Sequence, residues 1–269
     1  VRKVERKMEL ERPYYQDTGR RPTLFYAIIG ARGEELRVSR SRHHVQEMPE
    51  GLGIYGLRRP ENSDRMDELL GGSLGKLLEE RDPALYQRAK EAQSWMLLQG
   101  EVQKDDTLDY LSNAIGFVQA AVETGAVAVL DLQALELYSP EVWQEQVFSG
   151  SHHPYCHVYA IVSPEPEGTF WLHTRGMRKF GRPDIGMEGV PKKELGRAMA
   201  VIDQMIFHEA RGAVFTRPVK LHLSAGRACT VFPRLAGDLE DWDYNNEHYH
   251  LRWEECEFEG ENRNRTKKG

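Results

Sequence analysis

The sequence predicts an α+β fold in which a mixed or mainly antiparallel sheet packs with helices. Three observations carry this: one long helix with a regular apolar face, pairs of short strand patterns joined by Gly- and Pro-containing turns, and no strict strand–helix–strand alternation. The helix is the clearest element. In "TLDYLSNAIGFVQAAVETG", Leu108, Leu111, Ile115, Val118 and Val122 recur at alternating steps of three and four, which places them on one helix face. Asp106 or Thr107 supplies a cap at its start, and Gly125 a left-handed residue at its end. The chain then enters "AVAVLDL", a buried-type strand, and Ser139-Pro140 offers an N-cap and first-turn proline for a short helix through Trp143.

The other elements are read in the same way. "PTLFYAIIGARGEELRVSRS" is expected to be an apolar strand, a turn at Gly30 to Gly33 and a polar partner strand. A helix with its cap at Asn62 or Ser63 carries Met66, Leu69, Leu70, Leu74, Leu77 and Leu78 and stops before Asp82-Pro83; a second is expected from Pro83 to about Gln99. "YCHVYAIVS" and "TFWLHTR" form two strands around "PEPEG", and "KKELGRAMAVIDQMIFHEARG" a helix ending at Gly212. "PVKLHLSAGRACTVF" and "NEHYHLRWEE" supply the last strands, with Ser224 in a hairpin turn. The expected organisation is a charged tail over 1–20, a hairpin and helices over 21–104, the main α+β domain over 105–259 and a basic, disordered tail over 260–269.

Composition narrows the class of protein. With 269 residues and 40% hydrophobic content the chain is long enough for a substantial core. A net charge of -6 built from many charges of both signs lacks the footprint of a protein that coats nucleic acid, so no nucleic-acid partner is expected. No apolar run is long enough to span a bilayer, and "VRKVERKMELERPYY" has no secretory apolar segment, so a cytoplasmic protein without a membrane partner is expected. Cys156, Cys229 and Cys256 are odd in number and show no CxxC spacing, which points to reduced thiols.

"GGSLGK" is one residue short of a phosphate loop and has Leu77 where a magnesium-binding hydroxyl belongs, so its glycines read as helix packing or a kink. "DWDYNNEHYHLR" starts like a calcium loop with Asp241, Asp243 and Asn245, but Asn246 replaces the glycine and Arg252 the terminal glutamate. His152, His153, Cys156 and His157 are possible zinc ligands, yet neighbours on a strand point to opposite faces. His208 in "FHEAR" lacks the second histidine of a metalloprotease helix, and Cys156 has no nucleophile signature around it. Neither a metal nor a cofactor is expected.

The richest stretch is "FWLHTRGMRKFGRPDI", Phe170 to Ile185. If Val162 lies opposite Phe170, then Tyr159 faces His173 and His157 faces Arg175, a polar and aromatic patch backed by a core face of Val158, Ala160, Val162, Phe170 and Leu172. Arg182 and Asp184 follow, the aspartate placed to orient an arginine or to accept a turn hydrogen bond. His157, Tyr159, His173, Arg175, Arg182 and Asp184 are therefore the candidate binding residues.

Taken with the Leu-Asp-Tyr-Leu helix, the Val-x-Asp-x-Gln strand and the late Asn-Asn element, the His-Thr-Arg-Gly and Lys-Phe-Gly-Arg-Pro-Asp segments resemble a bacterial family classed as a domain of unknown function, over roughly residues 105–251. Leu132 stands where that pattern has proline. The resemblance implies a bacterial α+β protein and brings no activity with it. The functional expectation is a noncatalytic binding or regulatory module for a small anionic ligand or a protein partner. Two alternatives stand beside it: a hydrolase or transferase using His173 as acid or base and Arg175 as anion clamp, and a structural component of a complex.

Overall fold

A computed structural model describes residues 10–150, 153–223, 227–240 and 244–260. Among them are six helices and thirteen strands in mostly antiparallel sheets, an α+β fold. The first sheet has the order β2-β3-β1-β4-β5, built from β1 (Thr23–Ile29), β2 (Leu52–Arg58), β3 (Ser94–Glu101), β4 (Ala128–Asp131) and β5 (Glu136–Tyr138). Both β3 and β4 run antiparallel to β1, so they are parallel to each other with β1 between them. Strand alternation gives this sheet two apolar faces. Ala27, Ile29, Trp95 and Leu97 meet α1 (Ser63–Leu69), α2 (Gly72–Arg81) and α3 (Pro83–Glu91). Leu24, Tyr26, Ile28, Met96 and Leu98 join the main core with α4 (Asp109–Val122).

After β5 comes a short helix α5 (Pro140–Val142), capped by the Ser139 hydroxyl accepting the Val142 N–H at 3.3 Å and running on into a π-helical turn. The second five-stranded sheet has the order β11-β12-β8-β7-β6. Its strands are β6 (Tyr159–Pro164), β7 (Thr169–Arg175), β8 (Asp184–Pro191), β11 (Arg234–Ala236) and β12 (His248–Arg252), all antiparallel to their neighbours except the β8-β12 pair. Leu172, Ile185, Met187 and Leu251 bury one face with Ala198, Val201, Ile202 and Met205 of α6 (Leu195–Ala210). A small sheet of β9 (Val219–His222), β10 (Ala228–Val231) and β13 (Glu257–Phe258) completes the fold.

Several sequence expectations need correction. The polar partner strand after Gly33 is a 3-10 turn at Gly33–Glu35 followed by irregular chain, and β1 pairs instead with β3 and β4. The helix expected up to Gln99 stops at Glu91, because "SWMLLQGE" is β3, an inner strand between β2 and β1. The preceding helix divides at Leu70-Gly71, where Gly72 takes a φ of 62°. The expected boundary between 104 and 105 cuts through the first sheet, since β4 and β5 complete it. Residues of the expected tail also enter the interior, where Arg12 is buried. Finally, Pro154–His157 form a 3-10 turn, so the strand begins at Tyr159 and the hairpin register moves by two: Tyr159 faces Arg175, Ile161 faces His173 and Val162, 45% exposed, faces Leu172. Ser224, His152, Asp241, Asp243 and the tail from 261 lie outside the described residues.

Candidate functional site

Between β7 and β8 the chain makes a tight connection whose geometry rests on two glycines. Gly176 has a φ of 118°, and a Cβ there would meet the His157 carbonyl at 2.4 Å; Gly181 has a φ of 63° and would meet the Arg20 carbonyl at 2.9 Å. Between them lies a 3-10 turn, Met177–Phe180. The polar groups of this connection reach into four parts of the fold. Lys179, fully buried, forms an ion pair with Asp131 at the end of β4 and donates to the His157 carbonyl at 2.7 Å. Its own carbonyl accepts from the Tyr110 hydroxyl of α4 at 2.8 Å. Arg12 donates to Asp105 and to the Phe180 carbonyl, both at 2.9 Å.

Arg182 places its guanidinium on backbone carbonyls of Gln16 at 2.8 Å, Gly212 at 2.9 Å, Gly181 at 3.0 Å and Ala213 at 3.2 Å. Asp184 accepts from the Thr174 hydroxyl at 2.8 Å, the Met177 N–H at 3.3 Å and the Asn246 amide at 2.9 Å. Burial pushes the Asp184 carboxyl up to about 6 against the pull of those donors and of Arg175. Such saturation is what a buried charge needs to be tolerated. Three of the candidate residues are thus structural: His157 supplies a carbonyl, while Arg182 and Asp184 tie strands, α6 and the N-terminal segment together.

Tyr159, His173 and Arg175 do share the other face of the β6-β7 hairpin. His173 is 6% exposed, its ring stacked on Trp171 at 3.9 Å and edge-on to Tyr244 at 5.5 Å, and His248 stacks on Tyr244 at 3.8 Å. Arg175 is 8% exposed, and Tyr159 sits beneath the Arg81 guanidinium at 5.0 Å. This face is a packed aromatic layer. The expectation of one six-residue patch is therefore corrected: the residues fall into a buried network and a stacked sheet face.

The open site lies beside the network. A cleft of about 320 Å³ is lined by Arg20, Arg21 and Arg178 together with Glu101, Asp238 and Glu247, and the Gly181-Arg182 backbone forms part of its wall. Arg20 pairs with Glu247, and Arg21 with Asp105 at 3.1 Å and Asp17 at 3.7 Å. Arg178 donates to the Asn245 carbonyl at 3.4 Å and has no carboxylate partner among the described residues. Three guanidiniums around one concavity can bind an oxyanion through paired N–H donors. Sequence reasoning missed Arg20, Arg21 and Arg178: Arg20 stood in the segment set aside as tail, Arg21 at its edge, and Arg178 beside more conspicuous residues; the adjacent Arg20-Arg21 before Pro22 was the available signal.

Other chemistry finds less support. Burial raises the Cys156 thiol above its ordinary value, which opposes a nucleophilic thiolate. Burial, with Arg211 and His222, holds half-buried His208 below the usual histidine value. Among the described residues, no group of three or more His, Cys, Asp or Glu is placed to hold a metal ion, and no helix is long and apolar enough to cross a membrane. Compared with protein-family models, with curated proteins and with solved structures, the chain shows no match.

Proposed function

We propose that this protein is a noncatalytic binding or regulatory module that takes a small anionic ligand in the Arg20, Arg21 and Arg178 cleft. We read it further as a bacterial, cytoplasmic protein of the uncharacterised family that its motifs resemble. The observation that carries the binding reading is Arg178, a guanidinium facing an open cleft beside two further arginines, while the conspicuous charges of the same segment are held in the interior. An acid–base role for His173 finds less support, because that ring is enclosed by Trp171 and Tyr244. Calorimetric titration of inorganic phosphate, with sulfate, citrate and acetate in parallel at low ionic strength, tests the reading. Saturable binding that weakens about tenfold in Arg178→Gln is expected, the effect of losing one charge-assisted contact. The absence of saturable binding by all four anions contradicts it.

A further inference from the structure

A second cleft, of about 300 Å³, adjoins the first, and Arg20, Gly181 and Arg182 line both. Its character is different. Val214, Phe215, Pro233, Leu235 and Tyr249 are among its lining residues, and its lining carries no Asp or Glu. Two of its polar groups are engaged within the fold: the Tyr249 hydroxyl accepts the Phe215 N–H at 3.0 Å, and Arg182 is bound to backbone carbonyls. Leu235 is 54% exposed beside this cleft, and Leu239 is equally exposed beside the first. The wall between the two concavities includes the Arg20 side chain, which is held by Glu247 in a partly exposed ion pair. Such a pair is weak, so an incoming anion competes with the glutamate for the guanidinium.

Resting on the anion-binding reading, we infer that the ligand is amphipathic: an oxyanion head on an apolar body, such as a medium-chain carboxylate or an aryl phosphate. The head lies among Arg20, Arg21 and Arg178, and the body covers Phe215, Pro233 and Leu235. Arg20 turns from Glu247 to the head and opens the two clefts into one. Ligand pockets commonly combine a mainly apolar lining with a few orienting polar groups, which is the division seen here.

Matched probes test this by calorimetry: acetate against hexanoate, and inorganic phosphate against phenyl phosphate. The wild type is expected to bind the apolar member of each pair about tenfold tighter, the gain from burying about two methylene equivalents. Leu235→Gln, at an exposed position, should remove most of that gain and leave acetate and phosphate unchanged. Glu247→Gln, which frees Arg20, should tighten all four probes, with melting temperatures showing that both variants fold. Equal affinities within each pair, or a Leu235→Gln variant that weakens every probe alike, overturns the amphipathic ligand while phosphate binding leaves the anion reading standing. Unchanged affinities in Glu247→Gln overturn the role given to Arg20. Failure of all four probes overturns this inference together with the reading on which it rests.

Discussion

Lys179 is an ammonium group placed in the interior, against Asp131, the His157 carbonyl and, at 5.7 Å, the Tyr26 ring. Desolvating such a charge is compensated by a close counter-ion and hydrogen bonds. Asp131 is held in turn by the N–H groups of Gln133 at 3.0 Å and Ala134 at 3.1 Å. Lys179→Met leaves that carboxylate buried without its partner and should lower the unfolding free energy by about 3 to 5 kcal/mol. Adding Asp131→Asn, which keeps the acceptor oxygen and removes the charge, should recover part of the loss in urea unfolding; equal stability of wild type and Lys179→Met would refute the pairing. Asp184 makes stability depend on pH. Its folded value near 6 lies above the ordinary 3.8, so the native state binds the proton more tightly than the unfolded chain. Its contribution is fully present below about 3.8 and is lost as pH rises through about 6. Glu209, raised by burial near Arg182 and Asp184, acts in the same direction. From about pH 7.5 to about pH 5 the wild type should gain about 1 kcal/mol relative to Asp184→Asn. A difference that does not change with pH would show that Asp184 has no raised value.

At the scale of elements, α4 was readable because its large aliphatics recur at helical spacing, and Leu108, Leu111, Ile115, Val118 and Val122 are all buried; the helix is enclosed on nearly every side, so Ser112, Asn113 and Gln119 are buried too. Leu111→Ala and Ile115→Ala should each cost about 2 to 5 kcal/mol in chemical unfolding. Unchanged midpoints would contradict the packing. Gly116 is a finer test on the same helix: a Cβ there would meet the His43 carbonyl at 2.2 Å, so Gly116→Ala should destabilise despite a helix-propensity gain of about 1 kcal/mol. In contrast, β3 was read as the end of a helix, since its middle residues Trp95 to Leu98 are all buried and show no alternation to distinguish them from a buried helix face. The β6-β7 register was misplaced because Pro154 starts a 3-10 turn that removes Tyr155 to His157 from the strand, and because β6 extends to Pro164 opposite Phe170. Local pattern carries element type far better than partner or register.

For the whole molecule, the two large sheets share one core, and the Gly176 to Asp184 connection joins that core to the N-terminal segment, to β4 and to the end of α6. Its residues stood out in the sequence, but their partners lie tens of residues away: Lys179 meets Asp131, Arg182 meets Gln16 and Gly212, and Asp184 meets Asn246. Those pairings depend on the assembled fold and leave no local pattern. The arginine cleft was hidden for the same reason, because it gathers residues from 19–23, 101, 178–182, 238–239 and 246–247. The central claim is a division of labour within one segment, with Arg178 facing ligand and Arg182 holding the fold. Melting curves of Arg178→Gln and Arg182→Lys, each with and without inorganic phosphate, test it most directly. Arg178→Gln should melt close to the wild type and lose the upward shift that phosphate produces. Arg182→Lys loses the fork that spans several carbonyls and should be destabilised by about 3 kcal/mol, yet still be stabilised by phosphate. The reverse pattern, with Arg178→Gln unstable and Arg182→Lys unresponsive to phosphate, would contradict the account.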